Sequence, residues 1–220
     1  IDVDIRPVGD AAVLAVAGDG VDERLVARIW SLARAIAEAA GDAVLDVVPA
    51  YGSVLVRFDP LVRDQAHVVA LVRGAAERTG DHRDPAVRRF TVGVCFGGAC
   101  GIDFETVAHE LGMREARMRD TFCNAEYRVA FVGFIAGFPY LLGLPPALAV
   151  PRLATPRPRV PEGSVAIAAS QCGIYPRQSP GGWRLLGRTL APMFEPERTP
   201  ASLLAPADVV RFEPVERLED

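Results

Sequence analysis

The chain has 220 residues with a formal net charge of −4, and all 24 of its Lys-or-Arg positions are arginine. Near-neutral charge without a clustered basic excess excludes a nucleic-acid footprint, and the absence of lysine excludes Schiff-base chemistry within the chain. No run reaches the roughly 18 apolar residues of a membrane-spanning helix. Half of the residues are hydrophobic, enough for one large domain or two small ones burying roughly 70% of their unfolded surface.

The opening IDVDIRPVGD is mixed and charged, unlike a signal peptide. Ala11–Val16 and Ala43–Val48 are short β-branched runs, and Ser53–Phe58 alternates apolar and polar residues as a half-buried strand does. Between them, Leu25, Val26, Ile29, Trp30, Leu32, Ala33 and Ile36 form a stripe at helical spacing. The pattern predicts a helix from about Asp22 to Ala39, capped by Asp22 and ended by Gly41. A second helix, about Asp64 to Arg78, places Val68, Val69, Leu71, Val72 and Ala75 on one side. The order β-α-β-β-α predicts a small α/β sandwich, with helices on one face of a sheet, over residues 1–80.

Thr79–Pro85 (TGDHRDP) is polar and punctuated by Gly and Pro, which reads as a linker. A second domain then spans 86–220. It opens with a strand at Arg89–Phe96, a short helix capped by Asp103 and stopped by Gly112, and a helical turn from Arg114 to Thr121. Further strands are expected at Tyr127–Val132, Ser164–Ala169 and Val209–Val215. Fourteen of the 18 prolines fall between Pro139 and Pro214, so this half is expected to be a β-barrel or sandwich of short strands and long ordered loops. The overall class is α+β.

Cys95, Cys100, Cys123 and Cys172 show no C-x-x-C spacing, and no metal-ligand set is legible. Reduced, mostly buried thiols fit a cytoplasmic protein. A nucleophilic cysteine would need a base, and only His67, His82 and His109 are on offer. His109 lies in AHELG, which is not HExxH because position 113 is methionine. Glu126 and Asp208 read as lone carboxylates, Asp208 as a turn cap. The GFIAGF run lacks both the GK[ST] ending and the G-x-G-x-x-G spacing of a phosphate loop.

The densest stretch runs from Tyr127 to Thr189, where Gly, Pro, aromatic and Arg residues crowd together. Arg152, Arg157, Arg159 and Arg188 suit a carboxylate or phosphate, Ser179, Gly181 and Gly182 offer backbone donors beside Trp183, and Gln171 and Tyr175 add polar contacts. Other readings stand beside this one. Arg152 and Arg157 would equally tie loops together, and Gly181-Gly182-Trp183 would form a tight turn with a core tryptophan. Gly133, Phe134, Gly137, Phe138 and Tyr140 are open to barrel packing, a partner interface or substrate contact, Trp183 joining them as an interface candidate.

The segments Ile5–Val16, Asp46–Pro60, Val94–Ala108, Glu126–Thr189 and Leu203–Val215, in this order, resemble the 5-oxoprolinase B-subunit family, also called allophanate hydrolase subunit 1 or sporulation-kinase inhibitor. The resemblance implies a small α+β domain followed by a cyclophilin-like β-barrel. It implies a partner of the 5-oxoprolinase C-subunit type (allophanate hydrolase subunit 2), also cyclophilin-like. Together with a further, A-type component it implies hydrolysis of 5-oxoproline to glutamate with ATP, with no nucleic-acid or membrane partner and little activity in this chain alone. Inhibition of a histidine kinase and hydrolysis of allophanate are the alternatives; an amidase-type Ser-Ser-Lys set cannot be built from a chain without lysine. Two departures stand out. Ala136 replaces the family's proline in GFIAGFPYL, and Phe122 stands near a position where the family often carries a histidine.

Overall fold

A computed structural model describes residues 1–42, 44–79 and 87–218. The chain forms two compact units, Ile1–Ala86 and Val87–Asp220. Of the expected Thr79–Pro85 linker only Thr79 is described, as the C-terminal cap of the second helix; residues 80–85, with His82, and the expected strand start at Ala43 lie outside the described residues.

In the first unit, strands β1 (Asp4–Pro7), β2 (Ala12–Val16), β3 (Val44–Pro49) and β4 (Ser53–Phe58) form an antiparallel sheet in the order β1-β2-β4-β3. Helices α1 (Glu23–Ala39) and α2 (Gln65–Arg78) pack against it and each other. Val26, Ile29, Trp30, Leu32, Ala33 and Ile36 of α1 are buried, with Leu25 half-buried at the edge of the stripe. Asp22 and Asp64 cap the two helices, their carboxylates accepting from the N–H groups of Leu25 (2.9 Å) and His67 (2.8 Å). Gly41 does not end α1 as expected. The chain leaves through Ala40 in an extended conformation, so no left-handed cap forms.

In the second unit seven strands close a barrel in the order β10-β7-β6-β13-β5-β12-β9. They are β5 (Arg89–Phe96), β6 (Tyr127–Val132), β7 (Pro139–Leu142), β9 (Ser164–Ala168), β10 (Gln171–Ile174), β12 (Arg184–Arg188) and β13 (Val209–Pro214). β13 runs parallel to β5, while the other barrel pairings are antiparallel. A separate pair, β8 (Arg157–Val160) and β11 (Ser179–Gly181), stands apart from the barrel ladder. Helices α3 (Phe104–Glu110) and α4 (Glu115–Cys123) lie between β5 and β6 in sequence.

Side-chain alternation separates the barrel's two faces. All seven strands feed the large cluster, through residues such as Val94, Val129, Leu141, Val165, Cys172, Leu186 and Phe212, so that cluster is the interior. Phe104 and Val107 of α3 and Met118 and Phe122 of α4 join it. Intervening strand residues, including Ala166, Ala168 and Leu185, belong to a second cluster on the outer face, with Phe138, Val160, Tyr175 and Trp183.

Phe122 sits at the centre of the interior, fully buried, with ring centroids 5.1 Å from Tyr127 and 5.0 Å from Phe212. Its carbonyl accepts from the Tyr127 hydroxyl at 3.0 Å. The Phe122 position is therefore desolvated, an environment that would disfavour a charged imidazole.

Candidate functional site

The outer face of the barrel gathers many of the singled-out residues. Phe138 is its hub. Its ring meets Tyr140 (5.0 Å), Tyr175 (5.1 Å), Trp183 (5.6 Å) and Phe134 (5.6 Å) in edge-on geometry. Each such pair contributes about 0.5–1.5 kcal/mol beyond burial. Phe138, Tyr175 and Trp183 are buried, whereas Phe134 is 61% exposed. Phe134 also holds φ of 66°, a left-handed conformation that is costly for a bulky side chain. The loop fixes it through hydrogen bonds from Gly133 N–H to the Phe138 carbonyl, Ile135 N–H to the Gly133 carbonyl, and Phe138 N–H to the Ile135 carbonyl. Strain of this kind concentrates at sites that use it. The run leads into strand β7 rather than into a helix N-terminus.

Two arginines border this wall. The exposed Arg152 guanidinium lies 5.8 Å from the Trp183 ring centroid, within cation–π range. Arg157, on β8 opposite Gly181, donates from Nη2 to Asp103 Oδ1 at 2.6 Å. Among the described residues its Nη1 is buried without a hydrogen-bond partner, as is the hydroxyl of Ser179. Burial pushes the Tyr140 and Tyr175 hydroxyls above the usual phenol range. A hydrogen bond from the Trp183 backbone and the positive charges of Arg152 and Arg157 pull Tyr175 partly back, and Arg152 does the same for Tyr140. Both phenols are thus held neutral, Tyr175 under the influence of both arginines and Tyr140 of Arg152 alone.

Backbone close approach shapes the wall. A Cβ on Gly181 would collide with the Tyr175 hydroxyl, and one on Gly173 would collide with the Phe138 ring. Gly182 holds the preceding loop, its carbonyl accepting from Leu153 N–H at 2.8 Å.

Three carboxylates do more than their sequence context indicates. Asp103 does not cap α3 as expected. It is buried, its Oδ2 accepts from Leu185 N–H at 2.7 Å, and its Oδ1 holds Arg157, so it anchors the site's arginine to the barrel wall. Glu126 is not alone: its Oε2 accepts from Arg89 (2.8 Å) and Arg211 (3.1 Å). Asp208 accepts from Ala205 N–H at 2.7 Å, the expected turn cap, but it also pairs with Arg88. No signal in sequence reveals these pairs, because each joins residues 37 to 120 positions apart.

Other candidates lie outside this group. Arg188 Nε donates to the Glu162 carbonyl at 2.8 Å, tying down the turn before β9, and its charge is not among those acting on Tyr175. Arg159 is exposed on β8, and Gln171 is half-buried opposite Ala168. Gly133 is half-buried and Gly137 buried beside Phe194. Ala136 is exposed at the loop tip.

A family profile described as "Carboxyltransferase domain, subdomain C and D" matches residues 3–204. A 5-oxoprolinase B subunit of Escherichia coli O157:H7 is 36% identical, with 94% of each chain covered. Its namesake in Bacillus subtilis (strain 168) is 33% identical over 94% of this chain and 91% of that one. The crystal structure of TTHA0988 superposes with a TM-score of 0.82 at 36% identity over 97% of this chain, which spans only 41% of that longer chain. Matches that run through both compact units at this identity place the chain in the 5-oxoprolinase B-subunit family.

Proposed function

We propose that the chain is the B component of a hydrolase complex that opens 5-oxoproline to glutamate with ATP, and that the Arg152–Arg157–Tyr175 face of a cyclophilin-like barrel receives the substrate. The family relationship supports the enzyme-subunit role, and the closed seven-stranded barrel supports the cyclophilin-like reading of residues 86–220, beside an α+β domain over 1–80. The companions are components of the C type and the A type, in the cytoplasm.

One observation carries the site: two cations converge on an aromatic wall where a buried Ser179 hydroxyl and a buried Arg157 nitrogen lack partners among the described residues. Orphaned buried donors are costly, and a carboxylate satisfies both chemically. A lactam amide is stabilised by resonance, so attack on it needs donors that stabilise an oxyanion. The neutral Tyr140 and Tyr175 hydroxyls and the backbone around Gly182 are of that type. Activation of the lactam oxygen by ATP falls to the assembled complex, with this chain positioning the substrate. Of the interface candidates, the buried Gly137, Phe138 and Trp183 pack behind the half-buried Gly133 and Tyr140, and the strained, exposed Phe134 is the residue best suited to insert into a companion.

The test is glutamate release from 5-oxoproline and ATP by the chain combined with purified C-type and A-type components. Omission of any component is expected to abolish turnover. Arg152→Met is expected to lower kcat/KM at least tenfold, since each charge-assisted hydrogen bond contributes about 1.5–3 kcal/mol. Wild-type kinetics in that variant would remove Arg152 from the site.

A further inference from the structure

The barrel is not sealed along the whole of β5. The carbonyls of Arg88 and Val94 accept from the N–H groups of Val209 and Val215, so even-numbered residues of this strand turn their backbone groups toward β13. On the other side Cys95 pairs with Arg188, and Gly97 N–H donates to the Leu186 carbonyl, so odd-numbered residues face β12. The pleat therefore aims the N–H and C=O groups of Arg89, Thr91 and Gly93 toward β12's side. β12 is not there to meet them. After Arg188 the chain turns away, Thr189 N–H donating to the Gly163 carbonyl and Ala191 N–H to the Thr189 hydroxyl. Among the described residues no strand pairs with this side of β5 before Cys95. A cleft of about 810 Å³ separates Thr91–Gly93 from Thr189–Ala191, bounded by Val215–Leu218. Leu190 and Val215 expose 44% and 39% of their surface at its edges.

We propose that this cleft takes an extended segment of the C-type companion, which continues β12 as an added strand antiparallel to β5. Three successive outward-facing backbone positions, with donors and acceptors at a two-residue repeat, match an extended polypeptide and little else. Apolar side chains at alternate positions of that segment meet Leu190 and Val215. In TTHA0988 the matching unit is one part of a chain more than twice as long, so additional polypeptide accompanies it there. The inference rests on the reading that the chain works with a companion, and it adds where that companion's backbone docks.

The experiment is hydrogen–deuterium exchange of the chain alone and in complex with the purified C-type component, with complex formation followed separately by size exclusion. The amides of Thr91 and Gly93 are expected to exchange freely in the isolated chain and at least tenfold more slowly in the complex. Thr91→Pro removes one donor on the open side and leaves the β13 side intact. It and the surface variant Leu190→Glu, which does not depend on tolerance of proline, are each expected to weaken the complex at least tenfold. A complex that forms without protecting these amides overturns the docking site and leaves the companion reading intact. No complex at all overturns both. Protection in a homodimer of this chain reassigns the edge to self-pairing and also overturns the proposal.

Discussion

Asp103 makes a sharp energetic prediction. Asp103→Ala removes the acceptor of Leu185 N–H, in a buried strand, and the anchor of Arg157. An unsatisfied buried N–H costs about 1–3 kcal/mol, and loss of a charge-assisted bond about 1.5–3 kcal/mol. The second figure must be discounted because the Arg157 side chain is 24% exposed and rehydrates in part. The expected destabilisation is about 3 kcal/mol, lowering Tm by roughly 10 °C for a chain of this size. Asp103→Asn keeps an acceptor for Leu185 and loses the charge, so about half that loss is expected. The assay is thermal and urea unfolding followed by Trp183 fluorescence in a Trp30→Phe background, the chain having two tryptophans. A double-mutant cycle with Arg157→Met should return a coupling of about 1–2 kcal/mol. A loss below about 1 kcal/mol in Asp103→Ala, or zero coupling, refutes the anchoring argument.

Other residues give independent checks. Gly181→Ala should destabilise the barrel by about 1–3 kcal/mol through overpacking against the Tyr175 hydroxyl, and Tyr175→Phe in the same chain should recover part of the loss in urea unfolding. Hydrogen bonds from Arg89, then Arg211, hold the Glu126 carboxyl below its ordinary 4.5. A depressed folded value means stabilisation that is present above the unfolded value and lost as pH falls through the folded one. Acid titration of stability should therefore show a shallower decline below about pH 4.5 in Glu126→Gln than in the wild type. Burial, and for Cys95 a hydrogen bond with Cys100, pushes the Cys95 and Cys123 thiols up to about 11. Both should resist alkylation at neutral pH, with labelling read by mass spectrometry rising only as the pH approaches that value; rapid labelling of either at pH 7 contradicts the burial.

Elements whose stability is local are readable from residue order. Helix α1 declares itself through the Val26–Ile29–Trp30–Ala33 stripe and its Asp22 cap, and β4 and β6 through their β-branched and alternating runs. Strands β1, β7, β8, β10 and β11 carry no such local signal. β1 is a four-residue edge ending in Pro7, with only Ile5 partly buried, while β7, β8 and β11 contain proline and β10 and β11 glycine. Their stability comes from ladders and packing contributed by distant segments, which propensity does not encode. The same holds for the site. Its residue types stand out in sequence as a crowd of arginines, glycines and aromatics. The split between Arg157, clamped by Asp103, and Arg188, spent on a turn, is decided by partners far off in sequence.

The most direct test of where the substrate sits is calorimetric titration of 5-oxoproline into the isolated chain, the assembled complex, and the complex carrying Arg152→Met. Binding to the wild-type complex, at least tenfold weaker in the variant and undetectable in the isolated chain, is the predicted result. Equal affinity for wild-type and variant complexes contradicts the assignment of the arginine-bordered aromatic face as the substrate's seat.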